Sequence, residues 1–292
     1  MADGTCYGSG SGAHNLSRTV APSAGPSSQV GGRVAGTLGW HDAGMAATSM
    51  TVRDGVATIT LDQPDNRNAL SVALVESLGA HIAEANADDS VRAIVLTNAG
   101  STFCAGADLK AEPGSQTASV VPVFEAILDS PNPVVGRIAG HCMGGGVGLA
   151  AACDISVITE DAKVGFTEVR IGVAPAMISV IVLPKLRRAD ALELFLTGER
   201  ISATRATEVG LFNRCVPADQ LDETVDDVVG KLVLGGPTAL GASKRLVREV
   251  PELDRDAAFS MTEELSSSLF AGPEAREGMA AFREKRPAPW VP

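Results

Sequence analysis

Twice along this chain an apolar run that reads as a buried strand ends in a cluster of glycine and alanine. This pairing restricts the possible folds more than any other feature. Val91-Arg92-Ala93-Ile94-Val95-Leu96 leads towards Cys104-Ala105-Gly106-Ala107-Asp108-Leu109, and Val134-Val135-Gly136-Arg137-Ile138 leads towards His141-Cys142-Met143-Gly144-Gly145-Gly146-Val147-Gly148. Turns built of Gly and Ala let a ligand come close to bare backbone N–H groups. Two such groups converging on one carbonyl oxygen make an oxyanion hole. A carboxylate, Glu168 within Phe166-Thr167-Glu168-Val169-Arg170, is the third candidate element.

The surrounding pattern is α/β. Val52-Arg53 and Val56–Leu61 flank Asp54-Gly55, a strong hairpin signal. Ser71 is placed to cap a helix whose apolar positions are Val72, Val75, Leu78, Ile82 and Ala85. A helix near Pro122 runs through Phe124, Ile127 and Leu128 and is closed by Pro131 and Pro133. A short helix through Leu149 and Ala152 follows the glycine turn, and Ile155–Ile158 and Ala162–Phe166 read as further strands. Alternation of this kind implies layers of helix on sheet. From about Pro184 the pattern is mostly helical: Ala189–Leu196, Thr204–Val209, Leu221–Leu234, Pro237–Arg248, Ala257–Leu269 and Pro273–Arg283, interrupted by one strand at Phe212–Val216. The last helices carry many aliphatic residues for so small a region.

Bulk properties exclude several functions. A net charge of −11 argues against nucleic-acid binding, which leaves a basic footprint, and against attraction to anionic lipid. No apolar stretch approaches the ~18 residues of a membrane span. Five scattered cysteines and four separated histidines form neither a disulfide framework nor a metal-ligand pattern, which suits a reducing, cytoplasmic setting and no metal. His141 reads as a packing or solvent-facing residue. Residues 1–50 contain no Lys and no Glu and are crowded with Gly, Ser and Ala, so they are expected to be a disordered extension outside the fold.

Rival motif readings fail on context. Gly146-Val147-Gly148-Leu149-Ala150-Ala151 matches a dinucleotide-binding fingerprint, but the acidic residue ending the following strand, Glu160, lies only fourteen positions after Gly146, against an expected ~20. There is no Gly-Lys-Ser/Thr for a P-loop and no Gly-x-Ser-x-Gly elbow for a serine hydrolase. Two backbone-donor turns with a carboxylate instead suit reactions that pass through the enolate of a thioester.

Asn66-Arg67-Asn68-Ala69-Leu70, Phe103–Lys110, Gly144–Leu149, Ala152-Cys153-Asp154-Ile155, the Glu168 segment and the closing Phe282–Trp290 occur together and in order. In this the chain resembles the enoyl-CoA hydratase/isomerase (crotonase) superfamily from about Thr51 to its end. The resemblance implies a crotonase-like spiral of ββα units over residues 51–233, carrying the acyl-CoA site. A helical trimerisation region over 234–292 would follow, giving a trimer or a dimer of trimers. It places the oxyanion hole on the backbone N–H groups of Ala107 and Gly145 and the acid/base on Glu168. CoA contacts would come from Arg67, Ala69, Leu70, Ala105, Asp108, Leu109 and Lys110, with Lys285 near a neighbouring subunit's site. The only cofactor implied is the CoA of the substrate itself. Asp108 also reads as the cap of a helix beginning at Leu109.

One position departs from the family pattern. Its better-known hydratases carry a second glutamate four residues after the first glycine of the triplet, and here that residue is Gly148. The leading expectation is a hydratase in which Glu168 serves as both base and acid, as in methylglutaconyl-CoA hydratase-like members. The second is a double-bond isomerase, for which one carboxylate suffices, and the third is a catalytically silent acyl-CoA-binding protein. Arg170 reads as a surface or salt-bridge residue, and would hold a substrate carboxylate only if it points into the pocket.

Overall fold

The computed structural model of the protein describes residues 47–110 and 119–291. The expected extension over residues 1–50 therefore falls almost wholly outside the described residues. The first strand, β1 (Thr48–Arg53), begins three positions before residue 51. It pairs antiparallel with β2 (Val56–Leu61) across Asp54 and Gly55. Both turn residues have positive φ, 49° and 76°, as a two-residue turn matched to strand twist requires.

The chain then repeats one unit. Helix α1 (Val72–Ala87) is capped by Ser71, whose hydroxyl accepts from Leu74 N at 3.2 Å. Its inner face is Leu74, Val75, Leu78, Ile82 and Ala85, close to the expected stripe, while Val72 is exposed. Strand β3 (Ala93–Asn98) is buried throughout and is followed at once by β4 (Thr102–Cys104) and helix α2 (Val121–Leu128). Strand β5 (Val134–Ile138) is followed by β6 (His141–Met143) and helix α3 (Gly145–Ala152). Strand β7 (Ile155–Thr159) is followed by β8 (Lys163–Gly165), a 3-10 turn at Thr167–Ile171 and helix α4 (Ala176–Val182). Three strand–strand–helix units thus succeed one another.

The first strand of each unit joins a six-stranded sheet and the second joins a four-stranded sheet. The large sheet is completed by β10 (Arg214–Val216), the small one by β9 (Arg200–Ser202), which runs antiparallel to β8. Strands β4, β6 and β9 are absent from the sequence reading. Each is three residues long, too short to show a period of two, and His141-Cys142-Met143 reads as turn for the same reason. Helices α5 (Arg188–Thr197), α6 (Ala203–Glu208) and α7 (Leu221–Leu232) complete the core, with α7 packed on the outer face of the large sheet through Leu221, Val225, Val228 and Val229.

The last three helices behave differently. Helix α8 (Pro237–Glu249) and helix α9 (Arg255–Ala271) bury no residue fully, and α10 (Pro273–Glu284) buries only Ala281. Polar ties fasten α8 to the core. Lys244 Nζ sits 2.8 Å from Asp154 Oδ2 and donates to Ile127 O at 2.7 Å, while Arg248 bonds to Leu128 O and Asp129. The Lys244 and Asp154 side chains are only 11% and 24% exposed, so removing one partner strands a charge in a mostly dry site. Lys244→Met is expected to cost about 3 kcal/mol, read as a lower urea midpoint. Adding Asp154→Asn should recover part of the loss, and full additivity of the two changes would show that the pair is not coupled.

Candidate active site

Strands β4, β6 and β8 lie side by side in that order and run parallel, with Cys104 opposite Cys142 and Met143 opposite Gly165. Their carboxyl ends therefore open on one edge of the small sheet, where α/β folds bind ligands. The chain leaving β4 presents Ala105–Ala107, that leaving β6 presents Gly144 and Gly145, and that leaving β8 presents Thr167 and Glu168. These segments line a single cavity of about 420 Å3, together with Leu70, Leu109, Val120 and the stretch Val173–Ile178.

The strand ends approach so closely that side chains are excluded. Gly106 has φ +86°, and a Cβ there would lie 2.7 Å from Met143 O. Gly144 has φ +51°, and a Cβ there would lie 3.1 Å from Glu168 Oε1. A Cβ on Gly146 would overlap Cys104 O. The N–H groups of Ala107 and Gly145 have no acceptor among the described residues. Gly145 is the first residue of α3, whose opening N–H groups have no partner within the helix. An ideal Cβ on Gly145 lies 4.0 Å from Ala107 N, so the two residues lie close together.

Glu168 stands on the 3-10 turn after β8. Buried Phe166 anchors its start, packing on Phe195 with ring centroids 4.7 Å apart, and Gly172 closes it with φ 78°. Val173 N donates to Glu168 O at 3.2 Å, which fixes the turn. The Glu168 carboxyl atom Oε2 is buried without a hydrogen-bond partner among the described residues. Burial pushes the carboxyl pKa above its ordinary value, partly offset by a backbone hydrogen bond. Glu168 is the sole ionisable side chain among the described residues of the lining.

The other sequence candidates divide into two groups. Leu70, Ala105, Ala107, Leu109, Gly145 and Glu168 meet at the cavity. Arg67, Ala69, Asp108, Lys110 and Lys285 do not line it. Ala69 is buried, Arg67 and Lys110 are exposed, and Lys285 ends α10 with φ 55°. The Arg67–Leu70 loop is nevertheless fastened to the first turn, through Ala105 N to Arg67 O (3.0 Å) and Leu70 N to Gly106 O (2.8 Å). Buried Asn68, which the sequence reading did not single out, holds that loop. Its side-chain amide donates to Ala99 O and Thr102 O, and its Oδ1 accepts from Gln63 N.

The expectation for Asp108 is corrected, while Arg170 and His141 take structural contacts outside the cavity. Asp108 caps no described helix: Leu109 and Lys110 form a turn, and the Asp108 carboxylate accepts from Lys110 N and from the Asn66 side chain. Arg170 points away from the cavity and donates to Gly198 O and Thr197 O at the end of α5. His141 accepts from Lys163 N at 3.0 Å, pinning β6 to β8. The wall contributed by Val173, Met177 and Ile178 was not foreseen, because an apolar lining has no signature distinct from an apolar core.

Comparison with known proteins agrees with this geometry. The enoyl-CoA hydratase/isomerase family model matches residues 51–291. The chain is 34% identical over 242 residues to a putative enoyl-CoA hydratase of Thermus thermophilus, covering 80% of this chain and 96% of that one. It is 30% identical over 240 residues to the short-chain-enoyl-CoA hydratase of Clostridium acetobutylicum, covering 79% and 92% respectively. Its fold is similar to the crystal structure of an enoyl-CoA hydratase from Mycobacterium smegmatis, with TM-score 0.78, 32% identity, and coverage of 84% of this chain and 99% of the other.

The unpartnered carboxyl has a measurable thermodynamic signature. Because the folded-state pKa of Glu168 is raised, its contribution favours the native state fully below the unfolded pKa and is lost as pH rises through the folded one. Glu168→Gln is therefore expected to be more stable than the parent at about pH 7, with the advantage shrinking as pH falls towards about 4. Thermal unfolding across that range checks it, and a difference independent of pH would refute the desolvated carboxylate.

Proposed function

The chain belongs to the enoyl-CoA hydratase/isomerase family, and on that premise we propose that it adds water across the 2,3 double bond of an enoyl-CoA thioester. One observation carries the proposal: a buried carboxyl without a partner shares a cavity with two unused backbone N–H donors. In this reading the thioester oxygen accepts from Ala107 N–H and Gly145 N–H. The Glu168 carboxylate takes a proton from water, and the resulting hydroxide bonds to C3. The C2–C3 π electrons move towards the thioester, giving an enolate whose oxygen is held by the two donors. Glu168, now protonated, returns that proton to C2. Water is consumed, the double bond becomes a C–O and a C–H bond, and the carboxylate is regenerated. The raised pKa of Glu168 suits both halves, since an acid–base group works best when its pKa lies towards the working pH.

The lone carboxyl also supports a second reading, an isomerase in which Glu168 moves one proton between two carbons. Loss of the conjugated absorbance of a 2-enoyl-CoA distinguishes them, because an isomerase acts on a 3-enoyl-CoA and leaves that absorbance intact. Glu168→Gln should lower kcat by roughly 10²–10⁴-fold while acyl-CoA binding persists. The parent kcat/KM should fall as pH drops through a value above the ordinary carboxylate range, and retained turnover in Glu168→Gln would remove Glu168 from the reaction. Acyl-CoA binding without turnover of either substrate would instead indicate a silent binding protein.

The remaining parts of the reading concern assembly and setting. No cofactor beyond the CoA of the substrate is required, with Arg67, Ala69, Asp108 and Lys110 at the CoA end. A homotrimer, alone or paired, is supported by helices α8–α10, which leave Val247, Phe259, Phe270 and Phe282 between 67% and 85% exposed. Faces of this kind are covered in stable assemblies. In such an assembly Lys285 would serve a neighbouring subunit's CoA. A cytoplasmic location is supported by free Cys104, Cys142, Cys153 and Cys215. Light scattering should give three or six times the chain mass, and Phe259→Asp with Phe270→Asp should shift it towards one. A monomeric parent would overturn the assembly.

A further inference from the structure

The acyl end of the cavity has a floor made by two residues that depend on each other. Ile178, on α4, lines the cavity and is itself only 4% exposed. Behind it lies Gly148, on α3. A Cβ on Gly148 would overlap Ile178 Cγ2 and come within 3.1 Å of Phe124 Cζ, so the missing side chain at 148 is the space that Ile178 fills. Ile178 therefore closes this side of the cavity by packing directly on Gly148 and beside Phe124. Around this floor the walls are Leu109, Val120, Ile171, Val173 and Met177. Thr167 and Glu168 are the polar side chains among the described lining residues; of the two cations adjacent in sequence to wall residues, Lys110 is exposed and does not line the cavity, and Arg170 is committed to carbonyl groups at the end of α5.

We infer that this cavity takes an uncharged aliphatic acyl chain and that Ile178, seated on Gly148, is a specificity-determining residue that limits how much chain it admits. The inference rests on the acyl-CoA reading of the site. A chain ending in a second carboxylate would enter apolar walls without a cation and beside the carboxyl of Glu168, so desolvation and like-charge repulsion both oppose it. For an uncharged chain the limit is steric. Shortening Ile178 adds the volume it occupies over Gly148 to the cavity. A methyl added at 148 pushes Ile178 into the cavity. The two changes act on one contact from opposite sides.

The test compares kcat/KM for 2-enoyl-CoAs of short, long and branched aliphatic chains and for one ending in a carboxylate. Dissociation constants of the matching saturated acyl-CoAs are measured by calorimetry alongside. The parent is expected to prefer an aliphatic chain over the carboxylate-ended chain of equal length by at least about tenfold. Ile178→Ala should raise the long-to-short ratio by roughly tenfold or more, and Gly148→Ala should lower it. The double variant should return towards the parent ratio, since the sites are in contact. If Gly148→Ala does not fold, Ile178→Val supplies a smaller shift in the same direction as Ile178→Ala.

Preference for the carboxylate-ended chain would overturn the inference, as would an unchanged long-to-short ratio in the Ile178 variants. Absence of hydration, with saturated acyl-CoA binding that still shifts with Ile178, would sink the hydratase reading and leave this inference standing. Hydration with chain selectivity indifferent to Ile178 would do the reverse.

Discussion

The site depends on how closely three parallel strand ends can be brought together. Strands β4, β6 and β8 are adjacent and each is three residues long, so the backbone just beyond each one is thrown against its neighbour. A single added methyl at Gly106, Gly144 or Gly146 would press on Met143 O, on the Glu168 carboxyl or on Cys104 O. At Gly106 and Gly146 backbone meets backbone, at Gly144 backbone meets the Glu168 carboxyl, and beside these contacts the Ala107 and Gly145 N–H groups have no acceptors among the described residues. Gly144 N donates to Gly165 O at 2.9 Å, tying the second turn to the strand that delivers Glu168. The two groups proposed for carbonyl binding and for proton transfer are thus positioned by one packing constraint. Displacing any of the three ends would move donors and carboxyl relative to one another.

Much of this was legible in the sequence where a physical rule leaves a strong local mark. Asp54-Gly55 announced a hairpin because few other residues accept positive φ twice in succession. Ser71 and the apolar stripe behind it announced α1 because capping and a 3.6-residue period are both local. Cys104–Leu109 and Gly144–Gly148 were recognisable because small-residue turns after apolar strands are chemically distinctive. The small sheet was not legible, since a three-residue strand such as His141–Met143 is defined by its partners and has no pattern of its own. Side-chain direction was equally hidden. Nothing local distinguishes an arginine aimed at a substrate from one capping a distant helix, and Arg170 bonds to carbonyls twenty-seven and twenty-eight residues away.

The two halves of the site differ in what sequence change can do to them. The proposed carbonyl-binding half uses backbone N–H groups, which every residue but proline possesses, so no substitution except proline deletes them directly. It fails only through geometry, when a larger residue at 106, 144 or 146 forces the strand ends apart. The proposed proton-transfer half uses one side chain, Glu168, and Gly148 carries no second acid. Ile178 fills the space above Gly148, so an added carboxylate there would meet a packed isoleucine and not an open pocket.

That exchange of an acid for an apolar contact bears on how Glu168 can work alone. A second carboxylate nearby would repel the first and add to its desolvation, and one of the two would have to hold a proton. With Ile178 in the space above Gly148, the electrostatics of the lining reduce to one carboxyl in apolar surroundings, raised by burial and with one oxygen free of any partner. Such a group is easily protonated when a neighbouring oxygen gives up a proton, and readily gives that proton back, because neither state is locked by a fixed ion pair. A carboxyl held by an arginine would be a weaker base and a poorer returner of protons. The solitude of Glu168 and the apolar floor under the acyl chain are therefore two consequences of the same residue, glycine at position 148.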